Sequence, residues 1–179
     1  MTSSTVTLRP PTLEECQRVR EWRNATDVLP MLRTGYKTAD EQAAFYRDVI
    51  CNPASNHRYY AIVAPLCTCG QLAADCRCTG VFLGLGGLTY LDRTPGEGEI
   101  SLIIGPEFRG RGYGTAAVDA LLAKAFGPLQ LRSVMGECYF RSPAILFWES
   151  LIARDDCPYW YQNVEAGDDA SVCWRWGKR

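Results

Sequence analysis

The residues best placed to do chemistry lie in the stretch Gly105-Pro-Glu-Phe-Arg-Gly-Arg-Gly-Tyr-Gly-Thr-Ala-Ala117, where Gly110, Gly112 and Gly114 recur at every second position. They fall between a segment that reads as a strand and one that reads as a helix. Glycines in such a turn let main-chain N–H groups converge on an anion, and the positive end of the helix dipole adds to the attraction. Arg109 and Arg111 bring cations to the same place. The chemistry is that of holding phosphates. A Walker loop is excluded because no Gly-Lys-Ser/Thr follows, and the spacing G-x-G-x-G is not the dinucleotide fingerprint G-x-G-x-x-G. The competing reading is a tight strand-to-helix connection that binds nothing.

A second cluster is Cys67, Cys69, Cys76 and Cys78, at positions 66–79 between two predicted strands. The pattern C-x-C-x₆-C-x-C at a hairpin tip brings four thiolates together, as tetrahedral zinc requires, although the usual knuckle is C-x₂-C. In a reducing compartment the choices are structural zinc or four free thiols. Zinc is favoured, as a decoration without an open catalytic position. Cys16, Cys51, Cys138, Cys157 and Cys173 are scattered and read as small core residues.

These residues need elements to position them. Thr5–Arg9 alternates and reads as a strand. Thr12 with Glu15, and Thr38 with Glu41, form capping boxes that open two helices, the first with Leu13, Cys16, Val19 and Trp22 as a buried stripe. Arg58–Ala64, Val81–Tyr90 and Glu99–Gly105 read as strands, with Gly84, Gly86 and Gly87 marking a bulge or a close backbone approach. The helix after the glycine turn runs to Phe126 with Val118, Leu121, Leu122 and Ala125 inward. Ser133–Phe140 is a strand, Ser142 and Pro143 open a helix to about Leu151, and Tyr159–Glu165 with Ser171–Trp176 read as a closing pair. The order β-α-α-β-β-β-α-β-α-β-β implies an α/β (α+β) domain spanning 1–179: a mixed, mostly antiparallel sheet of about seven strands with four helices.

The run Arg109-x-x-Gly112-x-Gly114 after a strand resembles the GNAT superfamily of acyl-CoA N-acyltransferases, in the branch that acetylates ribosomal-protein N-termini. Leu8-Arg9-Pro10, Glu21-Trp22-Arg23-Asn24, the block from Glu99 to Ala117 and Ala144-Ile-Leu-Phe-Trp-Glu149 carry the resemblance. It implies that the N–H groups of Arg109, Gly110, Arg111, Gly112, Tyr113, Gly114 and Thr115 cradle the pyrophosphate of acetyl-CoA. It implies too that Leu102, Ile103 and Ile104, splayed by a bulge, hold the pantetheine arm. An amine with a pKa of about 10 must lose a proton before attack, and Glu99 matches the family's acidic position, with Glu97 and Glu137 as substitutes; a solvated or salt-bridged carboxylate is the competing reading of each. Two positions depart from the family. Arg141 stands where members often carry an Asn that bonds the cofactor arm, and it reads as reaching a phosphate of the cofactor instead, or as a lost contact. Trp148 stands where many carry the Tyr that protonates the leaving thiolate. Indole is no acid, so Trp148 reads as packing and Tyr139 as the acid, if there is one. A Gly-Phe pair common after the last helix is also missing.

The resemblance places acceptor entry at the loop Asn24–Lys37, with Arg33 and Tyr36 as candidates for acceptor choice. His57, the only histidine, reads as a surface residue, with a general base as the competing reading. The expected activity is acetyl or short-acyl transfer to the primary amine of a small molecule, such as an amino sugar or modified nucleotide. The alternatives are a protein N-terminal or lysine acetyltransferase and a non-catalytic acyl-CoA-binding module. Lys+Arg 19 against Asp+Glu 20 speaks against nucleic acid as a partner. No apolar run approaches the roughly 18 residues of a membrane helix, and Met1–Pro10 lacks the form of a signal peptide, so a cytoplasmic location is the expectation. A homodimer is left open.

Overall fold

The computed structural model describes residues 5–32, 34–65, 80–154, 159–164 and 171–178. The elements are β1 (Thr7–Arg9), α1 (Leu13–Arg23), α2 (Ala39–Phe45, continued by a wider π turn over Tyr46–Ile50), β2 (Arg58–Ala64), β3 (Val81–Thr89), β4 (Glu97–Ile104), α3 (Tyr113–Phe126), β5 (Ser133–Tyr139), α4 (Ala144–Ile152), β6 (Tyr159–Val164) and β7 (Ser171–Lys178). The strands form one seven-stranded sheet in the order β1-β2-β3-β4-β5-β7-β6. Every neighbouring pair is antiparallel except β4 with β5, which run parallel. The fold is the mixed α/β arrangement expected from the sequence.

Local chemistry explains where the helices start. The Thr12 hydroxyl accepts the Glu15 N–H (3.2 Å) while the Glu15 carboxylate accepts the Thr12 N–H (2.9 Å). Thr38 and Glu41 repeat the exchange at α2 (3.2 and 2.8 Å). Each box satisfies two donors that a helix start leaves open. Glu15 also pairs with Arg9 at 2.5 Å, which ties α1 to the end of β1. At α4 the detail differs from expectation: Pro143, not Ser142, is the cap residue, and the Ser142 hydroxyl accepts the Ala144 N–H at 3.2 Å.

Two layers of side chains hold the helices to opposite faces of the sheet. α1 packs through Val19 and Trp22 on Ala61, Val63, Phe82, Leu85 and Ile103; Leu13, expected inside, is 42% exposed. α3 covers the other face, and all four of its predicted inward residues, Val118, Leu121, Leu122 and Ala125, are buried. Gly86 permits this approach, because a Cβ there would stand 2.8 Å from a Leu121 methyl. Among the scattered cysteines, Cys16, Cys138 and Cys173 are buried as expected, Cys51 is exposed, and Cys157 lies outside the described residues.

The register corrects one expectation about the strands. β3 and β4 pair without interruption from Gly84↔Ile104 to Thr89↔Glu99, so β4 carries no bulge. The irregularity is between β2 and β3, where Ile62 faces Gly84 and Val63 faces Phe82, leaving Leu83 as the extra residue. A bulge there adds twist beside Gly84 rather than freeing Leu102 to Ile104.

Candidate active site

The parallel pair β4 and β5 is joined only at Glu97↔Ser133, Gly98↔Val134 and Glu99↔Met135. Beyond those residues both strands continue, β4 to Ile104 and β5 to Tyr139, with no pairing to each other. The sheet therefore opens into a V. The Gly105 N–H donates to the Leu83 carbonyl at 2.8 Å, which sets the phase of the β3–β4 ladder. Bonded pairs alternate in an antiparallel ladder. Glu99, Ser101 and Ile103 thus exchange with β3, and the main-chain groups of Ile100, Leu102 and Ile104 point at the V. Of the three residues expected to line a ligand arm, Leu102 and Ile104 face the gap, and Ile103 is occupied by Leu85. The Ile104 carbonyl already accepts the Arg109 Nε–H at 3.1 Å.

The glycine turn lies directly after this strand. Gly110 and Gly112 have φ of +70° and +80°, values that L side chains adopt only at a cost. Gly112 caps α3 without any side-chain help, and the first helical bond runs from the Ala116 N–H to the Gly112 carbonyl at 3.1 Å. The N–H groups of Tyr113, Gly114 and Thr115 consequently have no partner within the helix. A Cβ at Gly110 would meet nothing within 4 Å, so the turn is open at that position. Gly114 has a different duty: a Cβ there would stand 3.1 Å from the Phe147 ring, so its smallness seats α4 against α3. Arg109 and Arg111 in the turn are exposed, as is Arg141 after β5. Open N–H groups, a positive helix end and cations fit a phosphate group.

Three carboxylates share one face of the sheet, because side chains alternate along strands and Glu99 stands beside Met135. Glu97 is engaged: it accepts the Ser133 hydroxyl at 3.1 Å and lies 3.8 Å from Arg175. Glu137 accepts the Ser171 hydroxyl at 2.7 Å. Among the described residues the Glu99 carboxylate has no hydrogen bond or ion pair; besides its strand pairing, its main-chain carbonyl accepts the Thr89 hydroxyl at 3.2 Å. Glu99 is the uncommitted one, at the apex of the V.

His57 is not the surface residue expected. It sits half-buried with its ring 4.9 Å from that of Tyr90 and 6.2 Å from that of Tyr59. Its Nδ1 accepts the Tyr90 N–H at 3.4 Å, so the neutral ring carries its proton on Nε2. Burial holds the imidazole below its ordinary value; Asp92 pulls it up, Arg93 and Arg58 press it further down, and Glu99 opposes them. Burial also pushes the Tyr59 hydroxyl up to about 12, with Tyr90, Arg23 and Glu99 within electrostatic reach. His57 yields a pH prediction. Its folded pKa is below the unfolded value, so the unfolded chain binds the proton more readily. The stability His57 contributes is present above about pH 6.5 and is lost as pH falls. Melting scans between pH 7.5 and 5 should show a decline that His57→Gln flattens; equal slopes in both proteins would contradict it.

Residues 5–144 match the family model described as an acetyltransferase (GNAT) domain. The chain belongs to the GNAT acetyltransferase family. Solved structures share the fold across nearly all of the chain. A spermidine N-acetyltransferase from Vibrio cholerae in complex with CoA and spermine is 16% identical with a TM-score of 0.71, covering 96% of this chain and 94% of its own. A domain from Methanocaldococcus jannaschii DSM 2661 is 14% identical with a TM-score of 0.68, covering 96% and 97%. No curated protein sequence matches the chain.

In this GNAT domain Trp148 is the packing residue that the sequence reading expected. Trp148 is buried, with its ring centroid 5.0 Å from Phe147 and 5.9 Å from both Trp174 and Trp176. It belongs to an aromatic stack in the core. Tyr139 is four residues beyond Met135 on β5, about 13 Å along the strand, and lies opposite Ser171 rather than beside Glu99. Arg141 is in the turn between β5 and α4. Cys67, Cys69, Cys76 and Cys78, together with Arg33, lie outside the described residues. Among the described residues, no group of three or more His, Cys, Asp or Glu is placed to hold a metal ion, and no helix is long and apolar enough to cross a membrane. The sequence reading singled out His57 but not its half-burial against Tyr59 and Tyr90, for which the only signal was its place just before a strand carrying two tyrosines.

Proposed function

We propose that this protein transfers an acetyl group from acetyl-CoA to a primary amine of a small molecule. The observation that carries this reading is the V between β4 and β5, followed by the start of α3, which no side chain caps, with Glu99 at the apex of the V. The open space at Gly110 and the partnerless N–H groups of Tyr113 to Thr115 fit a diphosphate, and the free edge of Leu102 fits an amide-bearing arm. Bound there, acetyl-CoA supplies an acyl group already activated as a thioester. Glu99 takes the proton from the incoming ammonium, directly or through a water, which frees the nitrogen lone pair for attack. Main-chain donors on the β4 edge stabilise the charge that develops on the acyl oxygen. Trp148 gives no proton, so the thiolate departs as the anion or with Tyr139 as its acid.

Structural relatives that bind small amines support a small-molecule acceptor, and the Trp22-Arg23-Asn24 segment is what still connects the chain to the ribosomal-protein branch. Acetyl-CoA at about 100 times its Kd should stabilise the fold by about 2.7 kcal/mol, a rise in Tm of roughly 5–10 °C. No shift at saturating acetyl-CoA would remove the reading altogether.

A further inference from the structure

Arg23, the last residue of α1, is the exception among the arginines packed around the site. Arg9, Arg18, Arg20, Arg47, Arg154 and Arg175 each have a carboxylate within 4 Å. Arg58 donates to main-chain carbonyls, Arg132 donates to the Pro95 carbonyl and Arg93 lies over the Tyr90 ring. Arg23 has one hydrogen bond, to the Thr34 hydroxyl, and no acid partner among the described residues. Its Nε is buried with nothing to donate to. Burial lowers its pKa, yet a guanidinium stays charged in a protein. A half-buried cation that keeps its charge and lacks an anion is an expensive arrangement unless a ligand completes it.

The other unmatched charge on this face is Glu99. α1 lies on the face of the sheet that carries Tyr59 and Glu99, with Trp22 stacked 5.8 Å from Phe82 just before Arg23. Tyr59 stands between the two, its ring lying over Gly87, where a Cβ would be 2.7 Å away. Arg23 and Glu99 make no ion pair with each other. One face therefore offers a carboxylate for an ammonium group and, separated from it by a tyrosine, a guanidinium for an anion. A polyamine would satisfy the first and set its second ammonium against the second.

We propose that Arg23 is a specificity-determining residue that binds a carboxylate on the acceptor, so that the substrate class is an amine bearing a carboxylate at the far end of a short chain. This rests on the acetyl-transfer reading above. The guanidinium fork matches a planar carboxylate in a bidentate pair. A phosphate dianion would call for a second cation, and no other unengaged arginine of this face is described.

The test is thiol release from acetyl-CoA over matched amines: γ-aminobutyrate against butylamine, β-alanine against propylamine, lysine against cadaverine, with ethanolamine phosphate and spermidine alongside. Wild type should prefer the carboxylated member of each pair by about ten-fold or more in kcat/KM. Arg23→Gln should collapse that ratio towards one, mainly through KM, a loss of about 10–100-fold on the carboxylated amines. Arg23→Lys, which keeps the charge but not the fork, should fall between. Wild type acetylating neutral amines or spermidine at least as well overturns the proposal, as does ethanolamine phosphate outrunning every carboxylate. An equal loss on all amines in both variants also overturns it, because that is a structural role. If acetyl-CoA raises Tm but no amine is turned over, the acetyl-transfer reading falls and takes this with it; if amines are turned over without regard to a carboxylate, only Arg23 is wrongly assigned.

Discussion

Glu99→Gln should lower kcat/KM for amine acetylation by about 100- to 1,000-fold, the range over which a positioned general base acts. Among the described residues no hydrogen bond or ion pair holds its carboxylate, and the main-chain pairing with Thr89 and Met135 is untouched by the change. The amide has nearly the same shape and cannot take a proton from an ammonium. Melting temperature and the Tm rise with acetyl-CoA should therefore match wild type while turnover collapses. Glu97→Gln and Glu137→Gln serve as contrasts. Glu97 is bound to Ser133 and Arg175 and Glu137 to Ser171, so each should lose stability before it loses chemistry. Full activity in Glu99→Gln would retire it as the base and leave water to do the work.

The second large effect is on stability. In Gly84→Ala the new methyl would collide with the Ile103 carbonyl oxygen and stand 3.0 Å from the Ile104 Cα. Both obstacles are main chain, so no rotamer change relieves them, and β3 must move away from β4 next to the Leu83 bulge. Overpacking of this kind costs about 3 kcal/mol, a fall in Tm of roughly 6–12 °C for a chain of this size. The displaced segment is the one whose free edge faces the V, so the Tm rise with acetyl-CoA should shrink too. Gly110→Ala is the control: its methyl meets nothing within 4 Å, leaving only the left-handed backbone cost of about 1–2 kcal/mol. A Gly84→Ala protein that melts like wild type would mean the two backbones are not that close.

The order of elements was readable because the signals are local. Two Thr–Glu boxes start α1 and α2, a 3.6-residue stripe runs along α3, and glycines stop β4 and start α3. The V was not readable. Ile100 to Ile104 alternate in the same way whether or not a partner strand lies beside them, and pairing that ends after Glu99 leaves no mark on residue type. The resemblance supplied the splay, and the register located its cause in the divergence of β4 and β5. The carboxylates teach the same lesson: Glu97, Glu99 and Glu137 are alike in the sequence, and only the partners Ser133, Arg175 and Ser171, brought from elsewhere in the chain, set them apart. Arg23 left a fainter trace. Its helix neighbours three and four residues back are Arg20 and Val19, so α1 offers it no acid of its own.

Trp22 rests on Gly105, where a Cβ would stand 2.7 Å from the indole, and Arg18, over the same indole at 5.1 Å, holds Glu107 at 2.5 Å. The C-terminal half of α1 and the entrance to the glycine turn are thus in direct contact, although they are far apart in the chain. For protein engineers this sets a graft boundary. A loop borrowed from another acetyltransferase and spliced in after Trp22 leaves the contacts to Gly105 and Glu107 intact, whereas a splice that also imports the helix should disturb the glycine turn, unless residues 105 and 107 travel with the insert.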